Sequence, residues 1–234
     1  ANAMASYARL LKYGKGVAVN INEAVRYYKM GIENGSVQAM NDYGYMLKHG
    51  QGVGVNYEEA IKYYKMAIDN GYSVAMNNYA RMLQNGDGIK VDYQEAIKFY
   101  KMAIDKGNPT AMNNYAHMLK SGQGVEINYQ EAIKYFKMAI DVGNPIAMNN
   151  YAHMLQKGIG VEANYHEAIK YYKMAIEKGF STAMNNYAKM LKNGDGVEID
   201  YQESIKYFKM AINKGNPSAM NNYADMLKNG IGVD

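Results

Sequence analysis

Five pairs of adjacent asparagines, Asn77/Asn78, Asn113/Asn114, Asn149/Asn150, Asn185/Asn186 and Asn221/Asn222, recur at a constant step of 36 residues. Asn41/Asp42 is a variant one step earlier. A primary amide offers both a donor and an acceptor, which is the complement of a peptide group. Asparagine is also a poor helix former, because its amide competes for local backbone bonds. Two adjacent copies inside a repeated helical segment therefore need a compensating reason. One reason is recognition, with Asn41, Asn77, Asn113, Asn149, Asn185 and Asn221 forming a ladder that meets the backbone of an extended guest chain. The other is structural, with one amide of each pair bonding the neighbouring repeat across a partly buried seam. Both readings stand at this point, and a pair could divide between them.

Four residues after the first asparagine lies a position that changes in size and charge while its neighbours stay constant. It reads Arg9, Tyr45, Arg81, His117, His153, Lys189 and Asp225. At about 100° per residue, positions 38, 41, 45 and 48 share one polar arc of a helix, with 45 near its centre. A surface tuned copy by copy for a partner has this pattern, and so does neutral drift at an exposed site.

The remaining chemistry is sparse. Lys62/Lys65, Lys98/Lys101, Lys134/Lys137, Lys170/Lys173 and Lys206/Lys209, with Arg26/Lys29, make a basic stripe. Nearby Glu and Gln dilute that stripe, and it reads as a solvated outer face. His49, His117, His153 and His166 contain no i, i+4 pair that would suit a metal. The G-x-G turns lack a following Gly-Lys-Ser/Thr, so they are not phosphate cradles. No Ser-His-Asp or Cys-His arrangement occurs, so no enzymatic activity, cofactor or metal is expected. Neither nucleic acid nor a membrane is expected as a partner. A formal net charge of +4 is too mild to demand a polyanion. The absence of Cys excludes disulfides and fits a reducing compartment such as the cytoplasm.

The elements that must position these residues follow from the same step. In the unit beginning at Gln38, Met40, Tyr43 and Leu47 have the i, i+3, i+7 spacing of an amphipathic helix, called A, that stops at Gly50-Gln51-Gly52. A second helix, B, starts at Asn56-Tyr57-Glu58-Glu59, whose Asn and Glu read as a capping box, and ends near Gly71. The cap pair recurs at Asn20/Glu23, Asp92/Glu95, Asn128/Glu131, Asn164/Glu167 and Asp200/Glu203. Pro109, Pro145 and Pro217 suit the first turn of a new A helix. Small Ala60 and Ala67 let helices approach, and 24 Tyr with 19 Met and no Trp predict a core of rings and thioethers. Units of this size cannot bury their apolar face alone and must stack.

The segment Ala111-Met112-Asn113-Asn114-Tyr115-Ala116-His117-Met118-Leu119-Lys120-Ser121-Gly122-Gln123-Gly124-Val125 resembles the first half of the Sel-one-like repeat, A-x-x-x-L-G-x-x-Y-x-x-G-x-G-V. Asn128 to Ile140 resembles its second half. The family's Leu is Tyr here, its Gly is usually Ala (Gly44 alone keeps it), and its Tyr is Leu, swaps that keep roughly the same volume. The resemblance implies an all-α, right-handed superhelix of antiparallel helix pairs with the A helices on the concave wall. It also implies a non-catalytic scaffold or adaptor that binds protein or peptide. The expected organisation is one array over 1–234, about six and a half units, reading as an excerpt of a longer array or as a chain that self-associates through uncapped ends. The alternative role is a building block that stacks end to end, or lies along a filament through its outer basic face.

Overall fold

A computed structural model describes residues 2–232, and among them it contains thirteen α-helices and no strand. The A helices are α1 (Asn2–Tyr13), α3 (Val37–His49), α5 (Ser73–Asn85), α7 (Pro109–Ser121), α9 (Pro145–Lys157), α11 (Ser181–Asn193) and α13 (Pro217–Lys228). The B helices are α2 (Ile21–Glu33), α4 (Tyr57–Asp69), α6 (Tyr93–Asp105), α8 (Tyr129–Asp141), α10 (Tyr165–Glu177) and α12 (Tyr201–Asn213). They form two compact units, residues 1–115 and 116–234. Within each, an A helix packs along the B helix that follows, and that B helix packs on the next A helix.

Where a G-x-G turn lies over a preceding B helix, its two glycines do different work. Gly86 closes α5 in the left-handed region at φ 77°, where a side chain is strained. The second glycine provides room. A Cβ at Gly88 would sit 2.0 Å from the Tyr57 Cβ, and one at Gly160 would sit 2.1 Å from the Tyr129 Cβ. The turn thus lies directly on the B helix of the preceding repeat, and the tyrosine opening that helix sets the spacing.

The capping pairs form only by half. Asn20, Asn56, Asp92, Asn128, Asn164 and Asp200 each accept the backbone N–H of the Glu three residues on, at 2.8–3.0 Å. The reciprocal bond expected of the Glu side chain is replaced. The N–H it would accept is donated across the turn to a leucine carbonyl of the preceding A helix, as from Asn56 to Leu47 and from Asn164 to Leu155, both at 2.9 Å. Glu95 and Glu203 pair instead with Lys98 and Lys206 at 3.0 Å. At the other turns, Asn144 and Asn216 cap α9 and α13, with Pro145 and Pro217 in the first turn.

The core is a file of thioethers beside a file of rings. Met46, Met82, Met118, Met154, Met190 and Met226 are fully buried, as are Tyr28, Tyr64, Tyr100, Phe136, Tyr172 and Phe208. Further out, A-helix tyrosines meet B-helix rings edge to face, Tyr43 on Tyr63 at 5.2 Å and Tyr151 on Tyr171 at 5.0 Å. Lysines of the basic stripe also belong to the packing. Lys65 lies 5.5 Å over the ring of Tyr79 in the next repeat, and Lys137 and Lys173 lie over Tyr151 and Tyr187 in the same way.

Candidate functional site: the inner face of the A helices

Successive A helices approach one another, α1 on α3 and α3 on α5. The amide side chains bridge that approach. Asn41, Asn77, Asn113, Asn149 and Asn185 are buried, while Asn78, Asn114, Asn150, Asn186 and Asn222 are half-buried. In the first unit Asn78 Nδ2 donates to Asn41 Oδ1, and Asn114 Nδ2 donates to Asn77 Oδ1, both at 2.9 Å. Inside the pairs, Asn77 Nδ2 donates to Asn78 Oδ1 at 3.4 Å and Asn113 Nδ2 to Asn114 Oδ1 at 3.3 Å.

The result is one continuous file of amides whose direction is set at its N-terminal end. Asp42 can only accept, so Asn41 must turn its Nδ2 toward it, at 3.0 Å. Asn41 Oδ1 is then left for Asn78, and each later amide inherits the same orientation. The Arg9 guanidinium closes the file by donating from Nε and a terminal nitrogen to the two oxygens of Asp42. The second unit repeats the arrangement without that ionic end. Asn222 Nδ2 donates to Asn185 Oδ1 at 2.8 Å, Asn185 to Asn186 at 3.3 Å, and Asn186 to Asn149 at 2.9 Å.

The first asparagine of each buried pair is therefore engaged in the seam, and the second presents its flank to the inner face. Within each unit, a file that links consecutive repeats needs two amides per helix, which the doubling supplies. Asn221 differs, being exposed on α13.

Of the variable positions, Arg9, Tyr45 and His153 are half-buried, whereas Arg81, His117, Lys189 and Asp225 are exposed. Each unit has a groove along this face. One of about 280 Å³ brings Arg9, Lys12, Asn41, Asp42, Tyr45 and Asn78 together. Another, of about 620 Å³, is lined by Thr182, Asn186, Lys189, Ser218, Asn221 and Asn222, with Asn185 at its base.

A further ring of polar residues, one turn beyond the variable position, also borders the inner face. Lys48 Nζ lies 2.8 Å from an Asp87 oxygen. Burial alone would raise the Asp87 carboxyl, yet the hydrogen bond and charge of Lys48 outweigh it and hold the group below its usual range. Gln84 and Gln156 accept from the buried phenols of Tyr100 and Tyr172 at 2.7 and 3.0 Å. Burial pushes both phenols up, so they remain donors. Among the described residues, no three His, Asp or Glu side chains converge on a metal-sized site, and no helix is long and apolar enough to cross a membrane.

Stacked helical pairs with a polar inner face define an α-helical solenoid of the repeat-protein class. The Sel1 repeat matches residues 1–36, 37–72, 73–108, 109–144, 145–180, 181–216 and 217–234, and the chain belongs to that family, whose members generally serve as protein-interaction scaffolds. No curated protein sequence matches it. Among solved structures it is similar to a Sel1 repeat protein from Oxalobacter formigenes, at 26% identity and TM-score 0.79, covering 90% of this chain and 84% of that one. It is similar in fold to c5321, a protective antigen of uropathogenic Escherichia coli with an SLR fold, at 24% identity and TM-score 0.69, where it spans 96% of its own length and 48% of the antigen's. The immunity protein Pa5087 of Pseudomonas aeruginosa shares the fold at 18% identity and TM-score 0.70, with 93% and 83% covered.

Proposed function

We propose that this chain is a non-catalytic scaffold or adaptor that grips an extended peptide or disordered tail along the inner face of its A helices. The observation that carries the reading is the pair of polar grooves, one in each unit, at the position that varies from copy to copy. Side chains that differ in charge on a backbone that does not vary give each repeat its own preference. Helices packed about 8–10 Å apart offer one such site per roughly three residues of an extended guest. The half-buried second asparagines add amide flanks for the guest's backbone, while the first asparagines hold the wall.

Peptide display against the chain, counter-selected with Tyr45→Ala, Arg81→Ala and Lys189→Ala together, tests this. Binders that lose affinity for the triple variant are expected. Binders indifferent to it, and displaced instead by Lys134→Glu and Lys170→Glu on the B helices, would overturn the proposal.

A second reading, end-to-end stacking, is favoured by one contrast. On α13, Met220 and Leu227 are 46% and 48% exposed, whereas their counterparts Met184 and Leu191 on α11 are 3% and 5% exposed. Covering what remains exposed would contribute about 1 kcal/mol each. Light scattering decides it: a mass that rises with concentration, and falls back with Met220→Asp and Leu227→Asp, supports stacking. A monomer at all concentrations removes it.

A further inference from the structure

The inner faces of the two units carry different electrostatics. In the first, two carboxylates lie among the cations, Asp42 paired with Arg9 and near Lys12, and Asp87 paired with Lys48 and near Arg81. In the second, among the described residues, no carboxylate acts on His117 and Lys120 of α7 or on His153 of α9. The charges acting on them are other cations, Lys120 on His117, and Lys120, Lys157 and Lys189 on His153. Lys120 is half-buried on the inner face, and the only influence on it is burial, which lowers its pKa. In the adjoining groove of about 620 Å³ the one charged lining residue is again a lysine, Lys189.

We propose that the inner face of the second unit binds an acidic peptide segment through His117, Lys120, His153 and Lys189, and that it does so more tightly in mild acid. This rests on the peptide-binding reading above and names the chemistry of the guest.

Charge complementarity selects the occupant. A half-buried ammonium with no counter-ion gains most from a carboxylate that arrives with the guest. The face presents amides, hydroxyls and imidazoles but no row of aromatic rings on which nucleobases could stack. The elements packed around it leave the cations unneutralised. Asp195, following α11, accepts from the Gln156 amide at 3.3 Å and keeps its charge, and Asp225 lies on α13, but neither is among the charges that act on His117, Lys120 or His153. Behind the face, α8 contributes Phe136, and α10 contributes the Tyr172 phenol, which donates to Gln156.

The pH dependence follows from the histidines. Burial first, and then the neighbouring lysines, hold His117 and His153 below the ordinary value of 6.5, so both are neutral at neutral pH. A carboxylate between them reverses that balance and favours the charged form. Guest binding therefore takes up protons, and affinity rises as pH falls below the ordinary histidine range while Glu side chains stay ionised. In the free protein the sign is opposite. The unfolded chain binds protons that the native state refuses, so stability declines as pH drops below 6.5 and levels off beneath the folded values.

The test is fluorescence anisotropy with a labelled peptide alternating Glu and Ser, beside its Gln-for-Glu counterpart. The Glu peptide is expected to bind roughly tenfold tighter at about pH 5.5 than at about pH 7.5, and the Gln peptide to show no such gain. His117→Gln with His153→Gln should abolish the gain, bringing the ratio of the two affinities toward one whatever the affinity at neutral pH becomes. Lys120→Gln should weaken the Glu peptide at both values. All three side chains lie outside the core, and helical circular dichroism checks each variant. If Glu and Gln peptides bind alike at both pH values, the acidic-guest inference is overturned and the peptide-binding reading stands. If neither binds at either pH, both fall. Competition by duplex DNA or phosphatidylserine vesicles that outbids the Glu peptide, with the same histidine dependence, would also overturn it.

Discussion

The first unit's inner face sets two carboxylates among its cations, whereas, among the described residues, none acts on His117, Lys120 or His153 in the second, although the two are built from the same repeat. Arg9–Asp42 and Lys48–Asp87 consume each other's charge in one, while His117, Lys120, His153 and Lys189 stand together in the other. The contrast shows how such a repeat divides its positions. The amide seam, the glycine turns and the methionine file recur in both units and carry stability. The inner-face positions hang on that constant frame and are free to differ.

If that division is right, damage to the frame must cost the same in both units. The largest effect is expected at the second turn glycines. Gly88→Ala and Gly160→Ala drive a methyl into the tyrosine that opens the preceding B helix, at a position that already has positive φ. Each should destabilise by about 3 kcal/mol or more in urea unfolding, with the two losses alike. Gly16→Ala is the control. It shares the positive φ but a Cβ there meets nothing within 4 Å, so only about 1 kcal/mol of backbone strain remains. Equal losses at all three would mean that close packing is not what the second glycine provides.

The buried amides come next. Asn77→Ala removes the acceptor of Asn114 and the donor to Asn78, and Asn185→Ala does the same to Asn222 and Asn186. About 2–4 kcal/mol is expected from each, because partner amides are left unpaired in a buried seam. A change in peptide capture without a change in melting would put these residues on the recognition side instead.

The 36-residue step made the helix pairs, turns and methionine core legible, because a pattern repeated without insertion averages away local ambiguity. The roles inside each asparagine pair were not legible. Residues 41 and 42 differ by about 100° around the helix, and which one enters the seam depends on how closely the next A helix approaches. The Glu of the capping pair was misjudged for a related reason. Its competitor, the Leu47 carbonyl, belongs to another helix and is brought near only by the turn. Lys65 is exposed, as its place on the basic stripe implies, but its ammonium also lies over a ring fourteen positions on, at Tyr79 in the next repeat, which the stripe does not reveal. Of the proposed face, the variable residues were visible as an irregularity, but their pairing was not. The position that holds Asp87 opposite Lys48 holds Ile159 opposite Lys120, but only the approach of the turn to the helix shows that these two positions meet.

That last distinction can be erased by one substitution. Asp87→Asn keeps the shape and releases Lys48, so the first unit's face comes to resemble the second's. A gain of a few-fold in affinity for the Glu peptide at neutral pH is expected, with little change for the Gln peptide. No gain would show that uncompensated cations alone do not make the second face selective.

The smallest expected effect links the faces to the core beneath them. Where the residue one turn past the variable position is Gln84 or Gln156, the buried ring below is Tyr100 or Tyr172, and its hydroxyl donates to that amide. Where it is Lys120 or Lys192, the counterpart ring is Phe136 or Phe208, with no hydroxyl to satisfy. The first unit breaks this rule at Lys48, whose ammonium is turned to Asp87, and the buried hydroxyl of Tyr64 has no partner among the described residues. Tyr64→Phe is therefore expected to leave stability unchanged or raise it by up to about 1 kcal/mol, while Tyr100→Phe and Tyr172→Phe each lose about that much. Urea unfolding of the three variants reads the difference. Equal losses would mean that Tyr64 has a polar partner after all, and that Lys48 serves the core as well as Asp87. Opposite signs would mean that the second unit's phenylalanines are what free Lys120 from the core to meet a guest.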